Sequence, residues 1–185
     1  MKNLFKIFIC LFSVSCFSAS LLPSIEKSNI KWTGKKVGSS HYGNLKFKSI
    51  TLGKEGSLIG SKFVVNMESM TVEDIPKEKS LNKDLLDHLK NNDFFDVKNH
   101  KIATYEVTGI KDGKLVGDLT IKGVKKYNLK SEYKVSKDTI TGKLIFNRTD
   151  FKINYKSKGF LSSAVNSVKE SFIYDDVLVE FTLKK

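Results

Sequence analysis

In the stretch Leu115-Val116-Gly117-Asp118-Leu119-Thr120-Ile121-Lys122-Gly123, the residues Leu115, Leu119 and Ile121 fall on one side of an extended chain, and Asp118, Thr120 and Lys122 fall on the other. A period of two is what a strand with one buried and one solvated face requires. Upstream, Ala103, Tyr105 and Val107 alternate with Thr104, Glu106 and Thr108, and Phe63, Val65 and Met67 alternate with polar neighbours. Downstream, Tyr127, Leu129, Tyr133 and Val135 alternate with Lys126, Asn128, Glu132 and Lys134, and further strands are expected over residues 140–149 and 177–184. Turn-forming residues separate these runs: Lys111-Asp112-Gly113, Gly123, Ser136-Lys137-Asp138, and Gly53 with Gly56. Seven or eight strands, mostly joined as hairpins, make an antiparallel sandwich or barrel. Strict alternation with a polar outer face favours one curved sheet closed on itself, which also removes exposed edges.

One segment departs from this period. Over residues 80–91 the apolar positions Leu81, Leu85, Leu86 and Leu89 follow helical spacing, with Ser80 as N-cap and Asn91-Asn92 as terminator. Phe94 and Phe95 follow at once. A short helix with two aromatics behind it, inserted into a β protein, is expected to cover one mouth of the barrel. A second mixed stretch, residues 157–169, reads as a loop or short helix near the same rim.

The chain has 185 residues, enough for one domain with a sizeable core. Its start has the order of a secretory signal: Lys2 and Lys6, the apolar run 7–12, then Ser18-Ala19-Ser20 at the cleavage position. The run is too short to span a bilayer, which takes about 20 apolar residues. Residues 1–20 are therefore expected to be removed, leaving a domain over 21–185 in the periplasm or outside the cell. Removal takes both cysteines, Cys10 and Cys16, and two lysines, so the remaining charge is 30 − 20 = +10. A chain without cysteine has no disulfide, no thiol redox chemistry and no Cys-based zinc site. Cys16 would be a lipidation site only if cleavage fell just before it, and Ser13 stands where a lipobox has Leu.

The residues that carry chemistry are sparse. The histidines His41, His88 and His100 lack metal-ligand spacing, and there is no nucleophile elbow, P-loop or dinucleotide fingerprint. No cofactor is implied. His88 lies off the leucine stripe and is expected in solvent, as is His100. His41, in the turn-like Ser39-Ser40-His41-Tyr42-Gly43, is the histidine best placed for a ligand. The single arginine of the chain stands in Phe146-Asn147-Arg148-Thr149-Asp150-Phe151, where strand alternation puts Phe146, Arg148 and Asp150 on one face. An inward arginine needs a partner, and Asp150 is the nearest. The pair reads either as a structural ion pair or as an anchor for an anionic head group. The sequon Asn147-Arg148-Thr149, inside a predicted strand, reads as strand chemistry. Lysines spread along outer faces, with no arginine-rich patch or RNA-binding aromatic signature, argue against nucleic acid and for attraction to anionic amphiphiles or membrane surfaces.

Several blocks together resemble the YceI-like family of bacterial exported proteins. They are Leu85-Leu86-Asp87-His88-Leu89-Lys90-Asn91-Asn92-Asp93-Phe94-Phe95-Asp96-Val97, then Gly117-Asp118-Leu119-Thr120-Ile121-Lys122-Gly123-Val124-Lys125-Lys126, and Asn147-Arg148-Thr149-Asp150-Phe151. An opening strand and turn, Ile30-Lys31-Trp32-Thr33-Gly34-Lys35-Lys36 with His41-Tyr42-Gly43, adds to them. The likeness covers about residues 29–184; Lys152 stands where many members have Gly, and Asn92 where Ser is common. The resemblance implies a lipocalin-like, extended eight-stranded antiparallel barrel whose lumen holds an isoprenoid or fatty amphiphile, with a homodimer common in the family.

On that footing Trp32, Phe47, Phe63, Val65, Met67, Tyr105, Val107, Leu119, Ile121, Leu144 and Phe146 are expected to line the lumen. Leu85, Leu89, Phe94 and Phe95 would close a mouth, with His41, Arg148 and Asp150 near the polar head. Gly117, Gly123 and Gly142 are expected to point inward and leave room along the axis. The competing readings are an enzyme acting on such a lipid and an envelope-stress interaction protein with a solid core.

Overall fold

The computed structural model describes residues 23–157 and 172–185. Eight strands form a closed antiparallel barrel in which each pairs with the next and the last with the first: β1 Ser24–Lys36, β2 Ser39–Thr51, β3 Lys62–Asn66, β4 Ile102–Lys111, β5 Lys114–Ile121, β6 Val124–Val135, β7 Thr139–Asn147 and β8 Ile173–Lys184. The expected all-β barrel is therefore the observed one. The signal segment 1–20 lies outside the described residues, as does the stretch 157–169 apart from Ser157.

The hairpin turns follow from backbone chemistry. Asp112 (φ 53°) and Gly113 (φ 69°), and then Lys122 (φ 51°) and Gly123 (φ 72°), put two left-handed residues in each two-residue turn. That is the geometry whose twist matches the flanking strands. Gly123 thus belongs to the β5–β6 turn and does not point inward. The first turn is Val37-Gly38; His41-Tyr42-Gly43, expected as a turn, lies inside β2 with His41 opposite Gly34.

Because the strands alternate in direction, both long connections, 67–101 and 148–172, leave from the same end of the barrel. The first carries the single helix of the described residues, α1 Ser80–Lys90. Before reaching it, the chain from Thr71 to Asp74 runs along the upper half of β2, which the five-residue β3 leaves unpaired. Thr71 N–H donates to the Asn44 carbonyl (3.0 Å) and Glu73 N–H to that of Tyr42 (2.9 Å). This closes an edge that would otherwise stand open. Gly43 permits the approach, since a Cβ there would collide with the Thr71 carbonyl.

Helix α1 differs from expectation in its buried face. Leu81 is exposed, and Asn82 takes the inward position, its Nδ2 donating to the carbonyls of Val72 (3.0 Å) and Ile75 (2.6 Å). Lys79, rather than Ser80, occupies the N-cap position, without a side-chain cap bond. In β6 the alternation is broken by Asn128 (φ 61°). Its N–H turns to Asp118 Oδ1 (3.3 Å), and the bulge pushes Tyr127 outward, while beyond it Leu129, Ser131 and Tyr133 keep the inner face and Ser131 is buried. Val135, near the end of β6, is exposed as well.

The barrel is unevenly filled. At the end away from the long connections, Val107, Leu115, Ile140 and Leu183 are packed solid, with Ile140 opposite Leu183 across β7 and β8. Nearer the middle, Gly117 and Gly142 do face inward, but an aromatic ring occupies the space each leaves. A Cβ on Gly117 would come within 2.9 Å of the Tyr105 ring, and one on Gly142 would overlap the Phe181 ring. Those rings form a floor. Above it the interior opens.

Candidate functional site

Between that floor and helix α1 lies a cavity of about 500 Å³, within the range of roughly 300–1,000 Å³ typical of ligand pockets. Inward strand positions build most of its wall: Trp32 from β1, Phe47 from β2, Phe63 and Val65 from β3, Tyr105 from β4, Leu119 and Ile121 from β5, Leu144 and Phe146 from β7. Met67, just past β3, completes that set. Leu85 and Leu89 of α1, with Phe94 and Phe95 behind it, form the cover. Of the residues expected around a ligand, all of these border the cavity, and so do His41 and Arg148.

Val107 and Asp150 do not border it. Val107 belongs to the solid end. Asp150 is displaced because β7 stops at Asn147, whose Oδ1 accepts from Thr149 N–H (2.9 Å) and Oγ1 (2.6 Å), starting a 3-10 turn over Arg148–Phe151. Strand alternation ends there, and Asp150 turns out to Lys126, 3.8 Å away. Lys152 closes the turn in the left-handed conformation (φ 60°), which glycine adopts without strain.

Arg148 therefore has a different partner from the one expected. Its side chain is 1% exposed and donates to four carbonyls: Ile153 (2.8 Å) and Tyr155 (2.9 Å) through Nη1, Ile173 (3.1 Å) through Nη2 and Tyr174 (3.2 Å) through Nε. Asp175 Oδ1, 3.1 Å from Nη2, supplies the counter-charge without forming a hydrogen bond of its own. Burial lowers the guanidinium's pKa and Asp175 opposes that. With its donors committed to the chain, Arg148 ties the connection after β7 to the start of β8. The structural role is the one the geometry supports.

Polar groups on the wall are few. Tyr105 donates its hydroxyl to the Leu129 carbonyl (3.0 Å), and burial, with Asp118 nearby, pushes its pKa up to about 12. Trp32 Nε1 donates to the Thr71 carbonyl (3.0 Å) and Ser131 Oγ to that of Lys143 (3.0 Å). His41, half-buried, places Nδ1 2.7 Å from Asp74 Oδ2, while Asp74 Oδ1 accepts from Tyr42 N–H (2.9 Å). Burial alone would raise the Asp74 pKa, but these bonds and the imidazole charge outweigh it and hold the carboxyl below its usual range. Lys35, Lys36 and Lys156 also border the cavity, all at the end where the long connections lie. Among the described residues no group of His, Cys, Asp or Glu is arranged to hold a metal ion.

Several wall residues were not anticipated. Ile30, Leu45, Val177 and Val179 fall on the same strand alternation as their recognised neighbours and were legible in principle. His88 was not. Expected in solvent, it borders the cavity with its ring edge-on to Phe94 (5.1 Å) and Tyr155 (4.4 Å). Tyr155 arrives from the far connection, so no spacing near His88 signals the contact.

A closed antiparallel barrel with an apolar cavity under a helical cover defines a lipocalin-type binding fold. The chain belongs to the YceI-like family, whose domain profile matches residues 24–184. Two solved structures share the fold. BcnA of Burkholderia cenocepacia superposes with a TM-score of 0.60 at 19% identity, over 87% of this chain and 98% of that one. A polyisoprenoid binding domain from Saccharophagus degradans, implicated in plant cell wall breakdown, gives 0.52 at 15% identity, over 84% and 91%. No protein of curated function matches the sequence.

Proposed function

We propose that this protein is an exported carrier that takes the tail of an isoprenoid-type or other long-chain amphiphile into the barrel and performs no chemistry on it. The observation that carries this reading is the cavity: about 500 Å³, walled by aliphatic and aromatic side chains, with its charged groups at one end. About ten methylenes buried there at ~0.8 kcal/mol each give ~8 kcal/mol of gross driving force, before the cost of association. The solved relative described as a polyisoprenoid binding domain adds support at the level of ligand class. The basic, then apolar, N-terminus supports export, and cationic Lys35, Lys36 and Lys156 beside the cavity favour transient approach to an anionic membrane surface.

Native mass spectrometry of protein purified from its own host is the test. A lipid adduct released by organic solvent is expected, in a homodimer if the family's habit holds. Uniformly ligand-free protein, still unable to take up added isoprenoid, would overturn the carrier reading.

One arrangement favours an enzyme instead. Asp74 holds His41 Nδ1, which leaves Nε2 as a base beside the cavity. Turnover of a long-chain ester by pure protein, lost in His41→Ala, would establish that second reading.

A further inference from the structure

The amide of Asn91 sets the proton position on His88. Asn91 Oδ1 accepts from Asp93 N–H (2.9 Å), so the other end of the amide, Nδ2, faces the ring and lies 3.2 Å from His88 Nδ1. An amide N–H pointed at Nδ1 requires a lone pair there, which puts the imidazole proton on Nε2. Nε2 is buried and has no hydrogen-bond partner among the described residues. A buried N–H without an acceptor is costly, and the ring borders the cavity. Around it are Phe94 and Tyr155, and the nearby Arg148 guanidinium (5.8 Å above the Phe94 ring) is already spent on carbonyls.

We propose that His88 Nε2–H is the hydrogen-bond donor for the ligand's head group, and that this head carries a neutral acceptor oxygen, a carbonyl or hydroxyl, at the helix-covered end of the cavity. This rests on the carrier reading and specifies its ligand. An imidazole with a lone pair on Nδ1 is neutral and offers one N–H and no charge, which suits a neutral acceptor. Lys156, its Nζ 5.5 Å over the Tyr155 ring, is the cation an anionic head would turn to instead. The tail then runs from His88 toward the floor made by Tyr105 and Phe181. His88 contributes selectivity for an oxygenated lipid, while the apolar wall contributes affinity for any chain of the right length.

The test compares three probes of equal chain length, a methyl ketone, the alkane and the carboxylate, by displacement of a fluorescent lipid from delipidated protein. The ketone is expected to bind about tenfold more tightly than the alkane, the gain from satisfying one buried donor. His88→Phe should erase that ratio, so that ketone and alkane bind alike, and His88→Gln, which keeps an N–H at similar reach, should restore part of it. Nitrogen-15 spectra of the imidazole should show the proton on Nε2 in the ligand-free protein. Equal binding of ketone and alkane, a ratio indifferent to His88→Phe, a preference for the carboxylate, or a proton on Nδ1 would each overturn the proposal and leave the carrier reading standing. Failure of every probe to bind would overturn both.

Discussion

Ala103→Phe separates an open interior from a packed one, because the two predict opposite signs. Ala103 is buried on β4 opposite Val65 of β3, and both border the cavity. Phenylalanine there extends a ring of six carbons into the space, displacing about six methylenes of any tail, at ~0.8 kcal/mol each. The loss is about 5 kcal/mol if the displaced tail finds no other apolar surface, and about half that if it slides toward the rim. Kd should therefore rise by roughly two to four orders of magnitude. The delipidated protein should not suffer: about 100 Å² of ring removed from water is worth ~2.5 kcal/mol, less the entropy of fixing the side chain. Urea unfolding of the delipidated variant should show stability between unchanged and about 2 kcal/mol higher, with the fluorescent-lipid signal largely gone. A variant destabilised by about 1–3 kcal/mol, as overpacking produces, or one binding lipid as the parent does, would refute the reasoning.

Three further outcomes follow from the same geometry. Arg148→Met should cost about 3–5 kcal/mol by urea unfolding, because it strands Asp175 and four carbonyls, and an unchanged midpoint would contradict the tie between β7 and β8. Asp74→Asn should destabilise by about 1–2 kcal/mol at pH 7, where the charged carboxylate accepts from Tyr42 N–H and His41. Since its folded pKa is depressed, that contribution is complete above the ordinary carboxylate value near 3.8 and disappears as pH falls through the lower folded value, so parent and variant should converge in acid. Gly142→Ala should cost about 1–3 kcal/mol, because the new methyl needs the space of the Phe181 ring.

The barrel was legible because each strand buries one face, so the sequence repeats every second residue; Phe63, Tyr105, Leu119 and Phe146 announce the wall that way. What escaped prediction lies where the backbone leaves that period. The strand expected over 140–149 stops two residues short, at Asn147, which caps a 3-10 turn over Arg148–Phe151, so Asp150 exchanges the interior for Lys126. A left-handed Asn128 makes a bulge in β6 that turns Tyr127 outside, against the alternation of Leu129 and Tyr133. The glycines of β5 and β7 looked like emptiness, but each proved to be the seat of an aromatic ring from a neighbouring strand. Asn82 replaced Leu81 on the helix because two carbonyls of the crossover needed donors, a demand set by chain 7 and 10 residues away. His88 was missed for the same reason, since its setting is made by Tyr155, which only the closed fold brings near.

The central claim is that a lipid tail occupies the space above the Tyr105 and Phe181 rings, and intermolecular NOEs measure it most directly. With methyl-labelled protein and a bound isoprenoid, tail protons should show cross-peaks to the methyls of Leu119, Ile121, Leu144 and Val177 and none to those of Leu115, Ile140 and Leu183. Cross-peaks confined to exposed methyls such as Ile145 and Val135, or none at all, would contradict it.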